Sequence, residues 1–560
     1  MKALLKAYLL ALKQEFRGYN HSSLLKDLMA GLTVTAVALP LALAFGVSSG
    51  ADAAAGLITA IIAGLAISLL SGGYYQISGP TGAMAAILIS IMVKHQMQGV
   101  LIATLMAGML LVLAGVLRLG KLTTFLPVPV ITGFTSGIAI IIALGQLDNF
   151  FGVRSEGESA LLRLASFLKA GHAPDLAAVG VGLFVILFMV VFPKKWSAIV
   201  PASLLAIILA TVLTSLLGLD VAVVGEIPRT LMPASRLNLA GIDLAEVADL
   251  AAPAVSIAML GMIESLLCGA SAGRMTGVPL NNDQELVAQG IGNMILPFFG
   301  GIPATAAIAR TSVAIKSGAK TRLTGIFHAI GLLISMFVLS PVMSRIPLAG
   351  LAGILIVTAW RMNEWDMIHY IFARKFKGAI LKFLATMIAT VVFDLTVAIL
   401  IGFFVALILM VRRLSMIEIN YEKVDMSRIS NKDEALNRRY SMATVVYITG
   451  PAIFANTQSL LEIPAALPSD CNTVLFSMRG VSHMDISGAH ILHDMFENLK
   501  EKGIDIMLCG VPKSTMVMME RSGICDLLGE NSFYWSVERA LLDQRSEPGF
   551  ANNKVAQALD

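Results

Sequence analysis

The sequence predicts a polytopic α-helical membrane protein that ends in a small cytoplasmic α/β domain. Three observations lead there. The chain has 560 residues, of which 56% are hydrophobic and 14% charged, more apolar surface than one globular core could hide. Apolar runs recur from Leu28 to Val411, many of them near the ~20 residues needed to cross a bilayer. After Arg413 the composition turns polar, and short strand patterns alternate with helical ones.

Taken in order, the apolar runs make about fourteen candidate spans. The first is Leu28 to Val47, with Pro40 inside it, and the second runs from Ala54 to Leu70. A short third follows Pro80; the fourth and fifth are Val100 to Leu117 and Val128 to Leu147. Ala177 to Phe192 and Ile199 to Leu217 close the first half. The second half begins with Pro253 to Gly273 and Leu286 to Phe299, followed by a short run after Pro303. Leu323 to Leu339, Pro347 to Trp360, Ala379 to Phe393 and Leu395 to Val411 complete it. Seven spans plus seven fit an inverted repeat, because an odd number per unit turns the second copy upside down.

The loops orient this threading. With the N-terminus inside, inward loops receive Arg118 and Lys121, Lys194-Lys195, Lys316, Lys320 and Arg322, Arg374-Lys375 with Lys377, and Arg412-Arg413. Outward loops carry roughly half as many Lys and Arg, which places both termini in the cytoplasm. The expected layout is an N-terminal segment 1–27, a membrane domain 28–413, a charged linker 414–439, an α/β domain 440–545 and a tail 546–560. Met1 to Asn20 is basic and amphipathic without a small-residue cleavage site, so it does not read as a removable signal peptide.

Composition also excludes several classes. A net charge of +4 is mild and points to no nucleic-acid partner. Four cysteines without paired spacing argue against a disulfide framework or a Cys-based zinc site. No nucleotide loop, catalytic triad or metal cluster stands out, so no enzyme activity, cofactor or metal is expected.

Two stretches interrupt the apolar runs. Gly300-Gly301-Ile302-Pro303-Ala304-Thr305-Ala306-Ala307-Ile308-Ala309-Arg310 breaks the second half, and Ser78-Gly79-Pro80-Thr81-Gly82-Ala83 breaks the first. Each lies about fifty residues after the start of its half, counted from Pro253-Ala254 and Ala30-Gly31. Broken backbone at membrane depth is tolerated where it is buried in protein or lines a wet cavity. Matched breaks in two halves point to a transporter's substrate site. Each break opens a short helix whose N-terminus carries roughly half a positive charge, and Arg310 adds a full one. An anion site at mid-membrane is expected; ordinary Gly/Pro kinks are the plainer alternative.

Glu264 lies inside the eighth span, where an ionisable residue is expensive and functional by default. Burial would favour its protonated form and Arg310 the ionised one, which suits a proton carrier; a structural Glu264–Arg310 ion pair is the alternative. Asp394 is expected in an outer turn, His328 as a packed residue, and Asp283 and Glu285 near a helix N-terminus. In the polar C-terminal part, Asp485 or Ser487 of Val481-Ser482-His483-Met484-Asp485-Ile486-Ser487-Gly488-Ala489 is placed to cap a helix. A phosphate on Ser487 would be stabilised at the same helix end.

At these residues the chain resembles the sulfate permease (SulP) family of anion transporters over essentially its full length. The resemblance rests on Ile77-Ser78-Gly79-Pro80-Thr81, Phe134-Thr135-Ser136-Gly137-Ile138, Gly290-Ile291-Gly292-Asn293 with Phe298-Phe299-Gly300-Gly301, and Ala309-Arg310-Thr311-Ser312. Asp485-Ile486-Ser487-Gly488 is similar to the Asp-x-Ser-Gly site of the STAS domain that ends many members. The resemblance implies fourteen helices in a 7+7 inverted repeat split into core and gate, a homodimer, and alternating access. It places substrate contacts at Phe45, Thr81, Gly82, Ala83, Ala309 and Arg310, proton coupling at Glu264, and regulation at Asp485 and Ser487. Many relatives have Pro-Gln in the first span where this chain has Pro40-Leu41, so one polar contact is missing. Sodium-coupled bicarbonate members tend to have Asp at the Glu264 position and to lack the arginine.

Glu264-Ser265-Leu266-Leu267-Cys268 and Pro303 to Arg310 also resemble a bacterial branch that includes C4-dicarboxylate carriers. The expected function is a secondary active, proton-coupled symporter of sulfate or a related dianion in the inner (plasma) membrane. A succinate or fumarate symporter, an uncoupled exchanger or channel, and a membrane-anchored STAS regulator with a cytoplasmic partner are the alternatives.

Overall fold

The computed structural model describes every residue except 1, 122–126, 156, 158, 159, 171, 172, 194–199, 239–243, 394, 426–437, 439 and 543–560. Lys194-Lys195, Asp394, half of the expected linker and the tail therefore lie outside the described residues. The chain divides into two compact units, Met1–Ala406 and Leu407–Asp560.

Each of the fourteen apolar runs lies on a helix. The first half has His21–Ser48, Ala53–Leu70, Gly82–Val116, Val128–Gly145, Leu176–Val191 and Ala202–Leu217. Gly82–Val116 carries both the third and fourth spans; it is broken at Gln96, whose φ and ψ are 54° and −161°. The second half has Ala251–Thr276, Asn282–Ile295, Ile308–Lys316, Leu323–Met343, Leu348–Met362, Lys377–Val392 and Leu395–Leu414.

The packing shows the repeat. The first span packs on the eleventh as the eighth packs on Gly82–Val116, and the second packs on the eleventh as the ninth packs on Gly82–Val116. The fifth lies on the thirteenth as the twelfth lies on the sixth. Partners exchanged in this way are what an inverted repeat requires. Small residues permit the close approach: a Cβ on Gly108 of the fourth span would come within 2.8 Å of the Gly290 carbonyl in the ninth.

Both breaks become short strands. β1 (Ser78–Gly79) and β2 (Thr305–Ala306) pair antiparallel, Ser78 opposite Ala306 and Gly79 opposite Thr305. The pairing satisfies backbone groups that the interrupted helices leave free.

The N-terminal segment is held to the membrane unit. Helix Lys2–Glu15 ends in Glu15, which accepts from Arg322 Nε and the Arg322 backbone N–H, both at 2.7 Å. Burial pushes the Glu15 carboxyl up from its usual value, and Arg322 opposes the rise. Arg322, expected in an inward loop, is buried in this pair. Asp27 accepts from the backbone N–H groups of Lys320 and Thr321 and from the hydroxyls of Thr321, Thr324 and Tyr19.

The second unit is a five-stranded sheet in the order β3-β4-β5-β6-β7. β4 (Ala443–Thr449), β5 (Thr473–Gly480), β6 (Asp505–Cys509) and β7 (Phe533–Tyr534) are parallel. β3 (Glu418–Lys423) joins β4 antiparallel, so the start of the expected linker is an edge strand. Its charged, mostly exposed side chains hid the strand pattern. Helix Ile486–Glu501 buries Leu492, Met495, Phe496 and Leu499, and the Phe476 and Phe496 rings meet edge to face at 5.1 Å.

Candidate anion-binding site

The site is built where β1 and β2 hand over to their helices. At the first break Thr81 is the N-cap of Gly82–Val116, and its Oγ1 accepts from the Met84 N–H at 3.4 Å. The same hydroxyl donates to Glu264 Oε2 at 3.0 Å. At the second break Ala307 is the N-cap of Ile308–Lys316 and supplies no side-chain cap. Ile308 and Ala309, the first two residues of that helix, are exposed. The N-terminal amide groups of this nine-residue helix therefore carry the partial positive charge of an uncapped end.

Arg310 is 2% exposed. Its Nη2 donates to the Pro80 carbonyl at 2.9 Å, across from its own break to the other, and its Nη1 has no partner. Gly79 makes room for it: a Cβ there would stand 2.5 Å from Nη1. Arg310 and Glu264 do not form the ion pair weighed above; each engages its own neighbour, Pro80 or Thr81, in the first break. A buried guanidinium with an uncommitted nitrogen is costly without an anion to receive it.

Phe45 is buried, and a Cβ on Gly82 would lie 3.1 Å from its Cε1 and would clash with Ile142 Cδ1. The first span, the fifth span and the first half-helix thus converge on Gly82. Polar contacts brace the strands from behind. Thr305 Oγ1 and Ser265 Oγ lie 2.8 Å apart, and Thr311 Oγ1 accepts from the Ile77 N–H at 3.1 Å.

Comparison with known proteins identifies the chain. The model of the sulfate permease family matches residues 24–389, and that of the STAS domain matches residues 435–540. The chain belongs to the sulfate permease family. It is accordingly a multi-pass membrane transporter of anions with a C-terminal STAS domain, and not an enzyme. It is 35% identical to the "Putative sulfate transporter YvdB" of Bacillus subtilis, over 93% of this chain and 97% of that protein. It is 30% identical to the bicarbonate transporter BicA of Picosynechococcus, over 92% and 94%. Among solved structures, the transmembrane domain of a cyanobacterial BicA matches with a TM-score of 0.62 at 30% identity, covering 69% of this chain and 98% of that one. The murine Slc26a9 anion transporter in its inward-facing state matches in fold, with a TM-score of 0.82 at 17% identity over 97% and 95%.

Of the residues expected to contact substrate, Phe45, Thr81, Gly82 and Arg310 gather at the first break, and Glu264 joins them through Thr81. Ala83 is fully buried in the first turn of its helix, whereas Ala309 is exposed at the second. In the STAS domain Asp485 is the cap: its Oδ1 accepts from the Gly488 N–H at 2.8 Å and its Oδ2 from the Phe454 N–H at 2.9 Å. Ser487 is half-buried inside the helix and caps nothing. His328 is fully buried, its Nδ1 3.5 Å from Thr35 Oγ1.

Sequence reasoning missed the polar face of the ninth span. Glu285, Gln289 and Asn293 stand four residues apart and are all buried. That spacing within an apolar run was the available signal, because it puts three polar side chains on one helix face.

Proposed function

We propose that this protein is a secondary active symporter that carries sulfate or a related dianion with a proton by alternating access. The observation that carries the reading is Arg310, a buried guanidinium with Nη2 committed to Pro80 and Nη1 without a partner. Two half-helix N-termini of opposite repeats meet beside it, and together they attract a dianion without a metal. Glu264 is the proton carrier. It is half-buried, it is held by a hydroxyl, and it forms no salt bridge among the described residues. Protonation would remove its repulsion toward the incoming anion.

Relatives named for sulfate and for bicarbonate transport support an oxyanion; a C4-dicarboxylate remains the second substrate class, because one arginine and two helix ends suit either dianion. In this reading the protein is a homodimer in the inner (plasma) membrane with both termini in the cytoplasm. Residues 1–27, 28–413 and 440–545 are the N-terminal segment, transporter and STAS domains, and a regulatory partner meets the STAS domain near Asp485 and Ser487. The test is uptake of labelled sulfate, bicarbonate and succinate into proteoliposomes with and without an inward proton gradient. Sulfate uptake stimulated by the gradient is the expected result. Stimulated uptake of succinate alone would move the substrate to the dicarboxylates, and gradient-independent exchange would remove the proton.

A further inference from the structure

The polar face of the ninth span reaches both breaks at once. Gln289 Nε2 donates to Ser78 Oγ of β1 at 2.8 Å. One helical turn on, Asn293 grips the residue before β2: its Nδ2 donates to the Ala304 carbonyl at 2.9 Å and its Oδ1 accepts from the Ala304 N–H at 2.8 Å. One turn earlier, Glu285 Oε1 accepts from the other hydrogen of Gln289 Nε2 at 2.8 Å. Glu285 Oε2 is held in turn by the Ser71 hydroxyl at 2.6 Å and the Gly72 N–H at 3.0 Å.

We infer that Gln289 and Asn293 are positioning residues of the anion site, with Glu285 fixing the amide of Gln289, so that one rigid helix face sets the spacing of the two half-helix N-termini. The inference rests on the site proposed above. Its logic lies in the amide of Gln289. Both hydrogens of Nε2 are committed, one to a carboxylate and one to a hydroxyl, and turning the amide over would set Oε1 against Glu285. Glu285 therefore dictates that Gln289 offers Ser78 a donor. The cost is visible: Gln289 Oε1 is buried without a partner, a penalty that apolar packing at this position would avoid. Ser78 stands two residues before Pro80, whose carbonyl takes Arg310, and three before Thr81, which binds Glu264. A shift of Ser78 is thus passed to both groups of the site.

A double-mutant cycle in proteoliposomes tests this. Gln289→Met keeps the volume and removes the donor, and Ser78→Ala removes the acceptor from the other side should the first variant fold poorly. Each is expected to raise the KM for sulfate about two- to tenfold, the worth of one hydrogen bond, with kcat within about twofold. The double variant is expected to be no worse than the worse single one, because both remove the same bond. Glu285→Gln, which leaves the Gln289 amide free to turn over, is expected to raise KM similarly. Unchanged KM in Gln289→Met and Ser78→Ala, or effects that add in the double variant, would overturn the inference. Arg310→Ala measured alongside separates the two levels: if it abolishes uptake or raises KM while Gln289→Met leaves KM unchanged, only the positioning role falls. If it leaves KM unchanged, the site itself falls and the positioning role with it.

Discussion

The two breaks occupy equivalent places in the repeat and are built differently. The first caps its own helix with Thr81 and lends the same hydroxyl to Glu264. The second has no side-chain cap; it exposes Ile308 and Ala309 and carries Arg310, which reaches back to the first break through Pro80. An inverted repeat supplies two helix N-termini aimed at one place, and divergence within it has separated two tasks. Charge and uncapped amides come from the second break, and from the first comes the hydroxyl that holds Glu264 of the eighth span. The Arg310–Pro80 bond joins them, so a change in Glu264 and, in the proposed site, a change in anion occupancy would act on the same short segment, Pro80-Thr81.

Substitutions can break this division of labour. Arg310→Ala is expected to abolish sulfate uptake, because the helix ends that remain offer only about half a charge each; uptake at the wild-type rate would contradict it. Glu264→Gln keeps the shape and mimics the protonated acid. It is expected to retain sulfate binding and lose stimulation by an inward proton gradient, and stimulation equal to wild type would return Glu264 to a structural role. Gly79→Ala places a Cβ 2.5 Å from the present position of Arg310 Nη1. Displacing the guanidinium is expected to weaken sulfate affinity about tenfold, as loss of a hydrogen bond to a charged group does. Thr81→Ala removes cap and hydroxyl together. A cap is worth ~1 kcal/mol, so sulfate affinity is expected to fall only a few-fold while the pH dependence of uptake shifts. The smallest effect belongs to the STAS domain. Ser487→Ala removes no cap and is expected to leave both domain stability and uptake unchanged, whereas Ser487→Asp, imitating a phosphate at the helix end, alters the uptake rate. An unchanged rate in a folded Ser487→Asp protein would leave the serine without a regulatory role.

Much of the architecture is legible in the sequence because the bilayer constrains it so strongly. Span length, the odd number of spans per half and the Gly-Pro interruptions each follow from rules that act locally along the chain. Arg310 and Glu264 stand out for the same reason, being charged residues in apolar runs. What stayed hidden depends on contacts between distant segments. Glu285 reads as an acid near a helix N-terminus, and the cap there is Asn281, which accepts from the Gln284 N–H; the burial of Glu285 against Ser71 and Gly72 is set from 213 and 214 residues away. The Thr81–Glu264 bond joins residues 183 apart. Arg322 reads as a loop cation until Glu15 is folded against it, and β3 reads as a charged linker until β4 supplies its partner.

The most direct test of the site is an equilibrium titration of the purified wild-type protein and Arg310→Ala with sulfate. Anion binding at the paired breaks through Arg310 predicts saturable binding to the wild type, weakened at least tenfold in the variant, since a charge-assisted hydrogen bond contributes roughly 1.5–3 kcal/mol. Equal affinity in the two folded proteins would place the anion elsewhere in the membrane unit.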